Sequence, residues 1–438
     1  MKTRASAHRN DEGLVRAIGW PTLTASIINQ TIGAGIFVLP AVAAGGLGAA
    51  APIAYVVCAA LMGLIVACFA AAGSRVSLTG GLYAYIEVAY GPFVGFLAGV
   101  LYWLMAAFAV ASVASAFAGS IGVLIPAAAG PAARAALIVT IFTALALVNI
   151  TGVRSGSRVI QVVTAAKLLP LVVFVLAGVW FVDRSALTWT EPLTLTAIGR
   201  TCIILIYAFA GVEVALVPTG EVRDATRAVP RAVFTALAIT TTFYLLIQAT
   251  AQGLLGASLT TYASAPLAEA ASRVLGNAGR TLVLLGGTVS MFGYVAGDVL
   301  GSPRALYAFA RDGVLPAVVA RIHDRYRTPY VAIVCHAAIV AGLAVSSSFT
   351  RLAILANVAA LGLYMTCVLA AFELQRRDVR DTVSRSGTPF RLPGGPAIPL
   401  LAVIVIVWML SNATRREFQV LAAVLALASL IYAARRKS

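Results

Sequence analysis

The sequence predicts an all-α membrane protein with twelve transmembrane helices, and three observations predict it. Of the 438 residues, 61% are hydrophobic and only 11% charged, a balance that suits a surface facing lipid as well as a packed core. Apolar runs of about 20 residues, each enough to cross a hydrocarbon layer of roughly 30 Å, recur along the chain. They lie near 17–44, 48–72, 93–125, 133–150, 158–182, 194–219, 231–255, 281–310, 329–348, 351–373, 397–412 and 417–434. Two of these runs, the first and the sixth, are broken by glycine at corresponding places.

Residues 1–16 are polar and basic, with neither a short apolar core nor a cleavage site, and so predict a tail rather than a signal peptide. Span 1 carries Gly33-Ala34-Gly35 where a membrane helix is normally continuous. In lipid, N–H and C=O groups freed by such a break must be satisfied by protein, water or a ligand. After span 2, the stretch 77–90 (SLTGGLYAYIEVAY) is too polar to span and predicts a short helix at the cytoplasmic face. Spans 3 and 8 are both long, and both follow polar loops that contain glycine. Span 6 repeats the interruption at Phe209-Ala210-Gly211. The charged stretch 220–231 (GEVRDATRAVPR) follows it, with Pro230 near the start of span 7, where proline is tolerated. Arg311-Asp312-Gly313 ends span 8 with a helix-stopping glycine. Spans 11 and 12 come after Pro393-Gly394-Gly395-Pro396 and read as appended.

Gly35 and Gly211 lie 176 residues apart, at equivalent points of two sets of five spans. An odd number of spans per set inverts the second set relative to the first. This is the pattern of secondary transporters, and paired broken helices point to the substrate site. The predicted organisation is a cytoplasmic tail (1–16), a first five-helix repeat (17–182), a second inverted repeat (194–373), a cytoplasmic linker (374–396), two appended helices (397–434) and a C-terminal tail (435–438).

Charge and rare residues narrow the function. The net charge is +16, but its distribution argues against a nucleic-acid partner. With an even number of spans both termini share one side. Twenty-three of the 32 Lys and Arg residues fall on that side, eight on the other, and Lys167 within a span. This bias places both termini in the cytoplasm and the chain in the inner (plasma) membrane. The five cysteines show no CxxC spacing, and His8, His323 and His336 are isolated, so neither metal nor cofactor is expected. Gly33-x-Gly35 lacks the third glycine and the preceding strand of a dinucleotide motif. No catalytic triad or phosphate loop occurs, so the chain does not read as an enzyme.

The two breaks themselves suggest a ligand. A helix N-terminus offers free donors and a partial positive charge to a carboxylate. The carbonyls ending the preceding half-helix suit an ammonium group. Gln30, Ile32, Gly33, Ala34, Gly35 and Ile36 at the first break, with Tyr207, Phe209, Ala210 and Gly211 at the second, are therefore candidate contacts for a zwitterion. The plainer alternative is close glycine-mediated packing of two helices. Three ionisable residues stand out. Lys167 lies nine residues into span 5, about 13–14 Å deep at 1.5 Å per residue. A charge there is costly unless paired or facing a polar cavity. Glu213 follows the second break and suits capping of its half-helix. Asp298 lies deep within span 8.

Several motifs together resemble the amino acid–polyamine–organocation transporters. They are Gly33-Ala34-Gly35-Ile36-Phe37-Val38-Leu39-Pro40, Phe209-Ala210-Gly211-Val212-Glu213, Gly220-Glu221-Val222-Arg223 and Val229-Pro230-Arg231-Ala232. Gly80-Gly81 with Tyr83, Tyr90-Gly91-Pro92, Pro303-Arg304, Arg311-Asp312-Gly313-Val314-Leu315-Pro316 and Thr328-Pro329 continue the resemblance, which runs from about residue 14 to 375. It implies the leucine-transporter-type five-plus-five fold and transport of a small amino acid by alternating access. It further implies that Lys167 stands where sodium-coupled relatives bind sodium, hence sodium-independent transport with protons as a possible coupling partner through Lys167. Glu213 falls in the family's gate region, and Asp298 on a helix lining the cavity. Tyr102 with Trp103 matches a Tyr-Trp pair, and Tyr207 a bulky gating position. Two alternatives stay open: an antiporter of cationic amino acids or polyamines that uses Glu213 or Asp298, and a membrane amino-acid sensor or accessory protein. Side-chain selectivity and oligomeric state are not readable from the sequence.

Overall fold

The computed structural model describes residues 18–76, 78, 80–151, 157–190, 192–217, 221–379, 389–392 and 394–435. Among them the chain is helical throughout, without a β-strand; a single parallel bridge joins Ile18 and Val222. Among the described residues, eight helical stretches are long and apolar enough to cross a membrane, and three shorter apolar helices accompany them. The tails 1–16 and 436–438, residues 380–388 and 393 of the linker 374–396, and Gly220 of the charged stretch lie outside the described residues.

The first apolar run folds as two helices, α1 (Trp20–Thr31) and α2 (Leu39–Leu47), rather than one. α3 (Ala51–Gly73) follows, then the short α4 (Leu82–Tyr90), the long α5 (Pro92–Leu124), α6 (Pro131–Thr151) and α7 (Ser157–Gly178). The sixth run is again split, into α8 (Leu195–Leu205) and the single turn α9 (Val212–Ala215). α10 (Ala225–Leu255), α11 (Pro266–Gly301), α12 (Pro303–Arg311), α13 (Tyr330–Ser346), α14 (Phe349–Arg376), α15 (Ala397–Leu410) and α16 (Arg415–Arg435) complete the chain. Proline opens α5, α11 and α12, where its missing N–H leaves no hydrogen bond unmade.

Three boundaries differ from the hydropathy reading, two because helices outrun their apolar stretches and one because proline opens a new helix within a run. α10 begins at Ala225, so Pro230 lies inside the helix and not at its start. α11 begins at Pro266 and kinks at Gly276, well ahead of the apolar run at 281–310. That run then contains a joint at Ser302–Pro303 and is not one helix. Hydropathy locates lipid-compatible stretches, whereas helices continue into polar, amphipathic turns beyond them.

Packing positions the breaks. α1 and α10 lie together, as do α3 and α10, α5 and α14, and α7 and α11. The interior is dense with fully buried aromatic rings, including Tyr55, Phe69, Tyr85, Tyr244 and Tyr364. Large apolar side chains such as Leu176, Leu195, Leu400 and Leu430 point outward, as lipid contact allows. One end of the bundle is tied by backbone. Ile18 N–H donates to the Glu221 carbonyl at 3.0 Å, Arg223 N–H to the Ile18 carbonyl at 2.8 Å, and Gly80 N–H to the Val217 carbonyl at 2.9 Å. Beside it the buried Arg75 guanidinium donates to the Val379 carbonyl at 3.0 Å and reaches Asp378 at 3.4 Å.

Candidate functional site

The first break is a stretch of non-helical backbone between α1 and α2. Ile32 (φ −73°, ψ 76°) turns out of the helix and Gly33 (φ −93°, ψ −163°) is extended. A 3₁₀ turn over Ala34–Phe37 then leads to Val38 and α2. The first N–H groups of that turn, from Ala34 and Gly35, have no acceptor within the turn itself. At the second break α8 passes into a 3₁₀ turn over Ile206–Phe209. Ala210 is extended, and Gly211 adopts φ 119°, ψ −22° before α9 starts.

The two breaks meet backbone to backbone at Gly211. A Cβ there would lie 2.7 Å from the Gln30 carbonyl oxygen and 3.0 Å from the Thr31 nitrogen. Its left-handed φ independently favours glycine. Tyr244 on α10 spans the junction: its hydroxyl lies 2.8 Å from the Thr31 carbonyl and 2.7 Å from the Ala208 carbonyl. One proton serves two acceptors, so a single side chain holds both broken helices together. The Tyr207 ring covers Gly35, with Cδ1 2.9 Å from where a Cβ would sit, and its hydroxyl donates to the Ala109 carbonyl on α5 at 3.0 Å. Asn357 on α14 donates to the Ile203 and Ile204 carbonyls at 2.7 and 3.2 Å. These bonds, with Ala210 N–H on Ile206 at 3.2 Å, leave aside the carbonyls of Ile32, Phe209 and Ala210, the ones the sequence nominates for an ammonium group. The Gln30 side chain is exposed while its carbonyl backs onto Gly211.

The ionisable candidates take separate places. Lys167, 8% exposed, donates its ammonium to the Asn29 carbonyl in the last turn of α1. Glu213 is buried with both oxygens in use: Oε1 accepts the Gly211 N–H at 2.8 Å and Oε2 the Tyr364 hydroxyl at 2.8 Å. It thus caps the second break from within. Asp298 contacts neither Lys167 nor the breaks. Its Oδ2 lies 2.8 Å from His336 Nε2 and its Oδ1 accepts the Ser302 hydroxyl at 2.5 Å. Trp103 Nε1–H donates to His336 Nδ1 at 3.2 Å. Tyr102, half-buried on α5, lies within electrostatic range of both Glu213 and Asp298.

Tyr244, Asn357 and Tyr364 escaped the sequence reading, and His336 was read there as isolated. Tyr244 carried a usable signal. Thr240, Tyr244, Gln248 and Gln252 recur every fourth residue and are all buried, forming a polar stripe on one face of α10. His336 carried only its presence in an apolar run; its partner Asp298 is 38 residues away.

Comparison with known proteins agrees with this architecture. The family model described as amino acid permease matches residues 18–431. The serine/threonine exchanger SteT of Bacillus subtilis is 28% identical over 406 residues, covering 90% of each chain. The methylthioribose transporter of the same organism is 24% identical, covering 92% of this chain and 90% of its own. An uncharacterised transporter of Mycobacterium tuberculosis, Rv1999c, is 30% identical over 388 residues, or 87% of this chain and 83% of its own.

Proposed function

The chain belongs to the amino acid permease family of multi-pass membrane transporters, and we propose on that premise that it carries a small neutral amino acid between the two helix breaks. The observation that carries this reading is the backbone contact of Gly211 with Gln30. It joins the N–H groups of Ala34, Gly35 and Ile36 and the carbonyls of Ile32, Phe209 and Ala210 in one region. The substrate carboxylate would take the former and its ammonium the latter.

Each of the twelve apolar runs contains a helix, which supports twelve spans, a five-plus-five inverted repeat and two appended helices. The Lys/Arg bias supports cytoplasmic termini in the plasma membrane. Lys167 on the Asn29 carbonyl supports an ammonium standing in for sodium, and hence sodium-independent transport. Alternating access would open the backbone tie of Ile18 with residues 221–223. Neutral substrates are favoured over cationic amino acids or polyamines because the carboxylates of Glu213 and Asp298 are already committed inside the protein.

The test is exchange in proteoliposomes loaded with unlabelled serine, threonine or alanine and given labelled serine outside. Counterflow of neutral amino acids, unaffected by arginine or putrescine and by replacing sodium with choline, is the expected result. Inhibition by arginine or putrescine alone would move the assignment to cationic substrates, and no flux of any amino acid would favour a sensor or accessory protein.

A further inference from the structure

Trp103 on α5, His336 on α13, Asp298 on α11 and Ser302 at its C-cap form a closed set of hydrogen bonds away from the two breaks. Its geometry fixes the proton positions. An indole nitrogen only donates, so the Trp103 bond to His336 Nδ1 at 3.2 Å requires a lone pair there. The ring proton therefore sits on Nε2 and is donated to Asp298 Oδ2 at 2.8 Å. Asp298 Oδ1 accepts from Ser302 at 2.5 Å, so both carboxylate oxygens act as acceptors. The arrangement is a neutral imidazole beside an ionised carboxylate. The His336 side chain is fully buried, that of Asp298 is 8% exposed, and His336 is the sole ion-pair partner of Asp298 among the described residues. Lys167, the lysine buried in α7, is committed to Asn29 on α1.

An excess negative charge buried among apolar helices is costly, and buried ionisable groups in membrane spans mark ion or proton pathways. One proton removes the excess charge without moving a helix. We propose that Asp298 and His336 form a proton-binding site, which takes its proton at His336 Nδ1 in exchange for the Trp103 indole. In that step a water-borne proton bonds to Nδ1 and the Trp103 Nε1–H···Nδ1 contact breaks. Asp298 keeps the Nε2–H donor, and the pair changes from a net charge of −1 to zero. The proposal rests on the reading of the chain as a transporter only in giving the proton a use.

The groups facing this site are few. From α5 it meets Trp103 and, beside it, Tyr102; from α11, Asp298 and Tyr294, with Ser302 at the helix's C-cap. α6 contributes Arg134, which is bonded to the Ser115 carbonyl. α12 carries Arg304, Tyr307 and Arg311, the last paired with Asp312. α14 carries Arg351, Tyr364, Glu373 and Arg376, with Glu373 held by Arg376 and Arg377. The neighbouring turn at Ala317–Ala320 has no titratable group. Of all these, only Trp103 and Asp298 touch the imidazole. The site reaches the breaks electrostatically: Tyr207, which covers Gly35, lies within range of the Asp298 charge, and Tyr102 and Tyr294 lie within range of both Asp298 and Glu213.

The chain has three histidines, which makes a direct test practical. In detergent-solubilised protein labelled with ¹⁵N-histidine, the His336 signals are assigned by their loss in His336→Gln. The expected result is the Nε2–H tautomer at pH 8 and protonation of both nitrogens on acidification. Trp103→Phe, which removes the indole donor from Nδ1, is expected to change the Nδ1 signal already at pH 8. In proteoliposomes, uptake by wild type is expected to vary between pH 5 and 9, with the dependence lost in His336→Gln and Asp298→Asn and retained in Lys167→Ala to the extent that this variant transports. Nδ1 remaining unprotonated across the range in both wild type and Trp103→Phe would overturn the site, as would an unchanged pH profile in His336→Gln. If no amino acid is taken up at any pH, the transport assignment fails, and the histidine spectra still decide the proton site. The spectra of wild type and Trp103→Phe also decide it if the other variants fail to fold.

Discussion

Gly211→Ala probes the contact on which the candidate site depends. At φ 119° an L-residue is strained, at a cost of about 1–3 kcal/mol. The new methyl would sit 2.7 Å from the Gln30 carbonyl oxygen, against ordinary contact at 3.4 Å, so the two backbones must part by about 0.7 Å. That movement stretches the paired contacts of Tyr244 with Thr31 and Ala208, now 2.8 and 2.7 Å. Loss of one such buried bond costs a further 1–3 kcal/mol or so. The total is about 2–6 kcal/mol, in the range of severe single substitutions. Gly342→Ala is the matched control. It lies within α13 where a Cβ meets nothing, and replacing a helical glycine there should stabilise by about 0.5–1 kcal/mol. The assay is thermal unfolding in detergent, followed by counterflow of whichever variants survive purification. A markedly lower melting temperature and lost counterflow for Gly211→Ala, beside a neutral or raised value for Gly342→Ala, are expected. Equal stability and flux in Gly211→Ala would refute backbone contact between the breaks.

Three further outcomes follow from individual side chains. Tyr244→Phe removes the hydroxyl shared by both breaks and should cost about 1–3 kcal/mol, with slowed counterflow; unchanged unfolding and flux would remove its bridging role. Glu213→Gln replaces an acid that accepts from both Gly211 N–H and Tyr364 with an amide that has one acceptor, so one bond is lost at about 1–2 kcal/mol. Adding Tyr364→Phe should cost little more than the single change, which a double-mutant cycle measures. Lys167→Ala strips the Asn29 carbonyl of its ammonium donor and should abolish most counterflow, while wild type runs equally in sodium and choline. Sodium dependence in the wild type would displace Lys167 from its assigned place.

The positions of the broken spans were legible in the sequence because their cause is local. Glycine inside a lipid-length apolar run lowers the barrier to leaving the helix, and no tertiary information is needed to see it. Lys167 and Asp298 were visible for a similar reason: an ionisable residue in such a run is rare enough to mark itself. Helix limits were less legible, because α10 and α11 extend beyond their apolar stretches as amphipathic turns, where hydropathy falls silent.

Partnership was decided only in three dimensions. The sequence offered Asp298 as a cavity-lining carboxylate for a cationic substrate, and His336 as an isolated residue. Packing of α11 against α7 and α13 instead left Lys167 on the Asn29 carbonyl and gave Asp298 to His336. Likewise no spacing rule foretold that Tyr364 would bind Glu213 or that Gly211 would press on Gln30. Hydrogen bonds act over about 3 Å, whereas their partners lie tens to hundreds of residues apart along the chain. Composition and local pattern therefore determine which segments enter the membrane and where they break, and the docking of helices alone determines which buried polar groups meet.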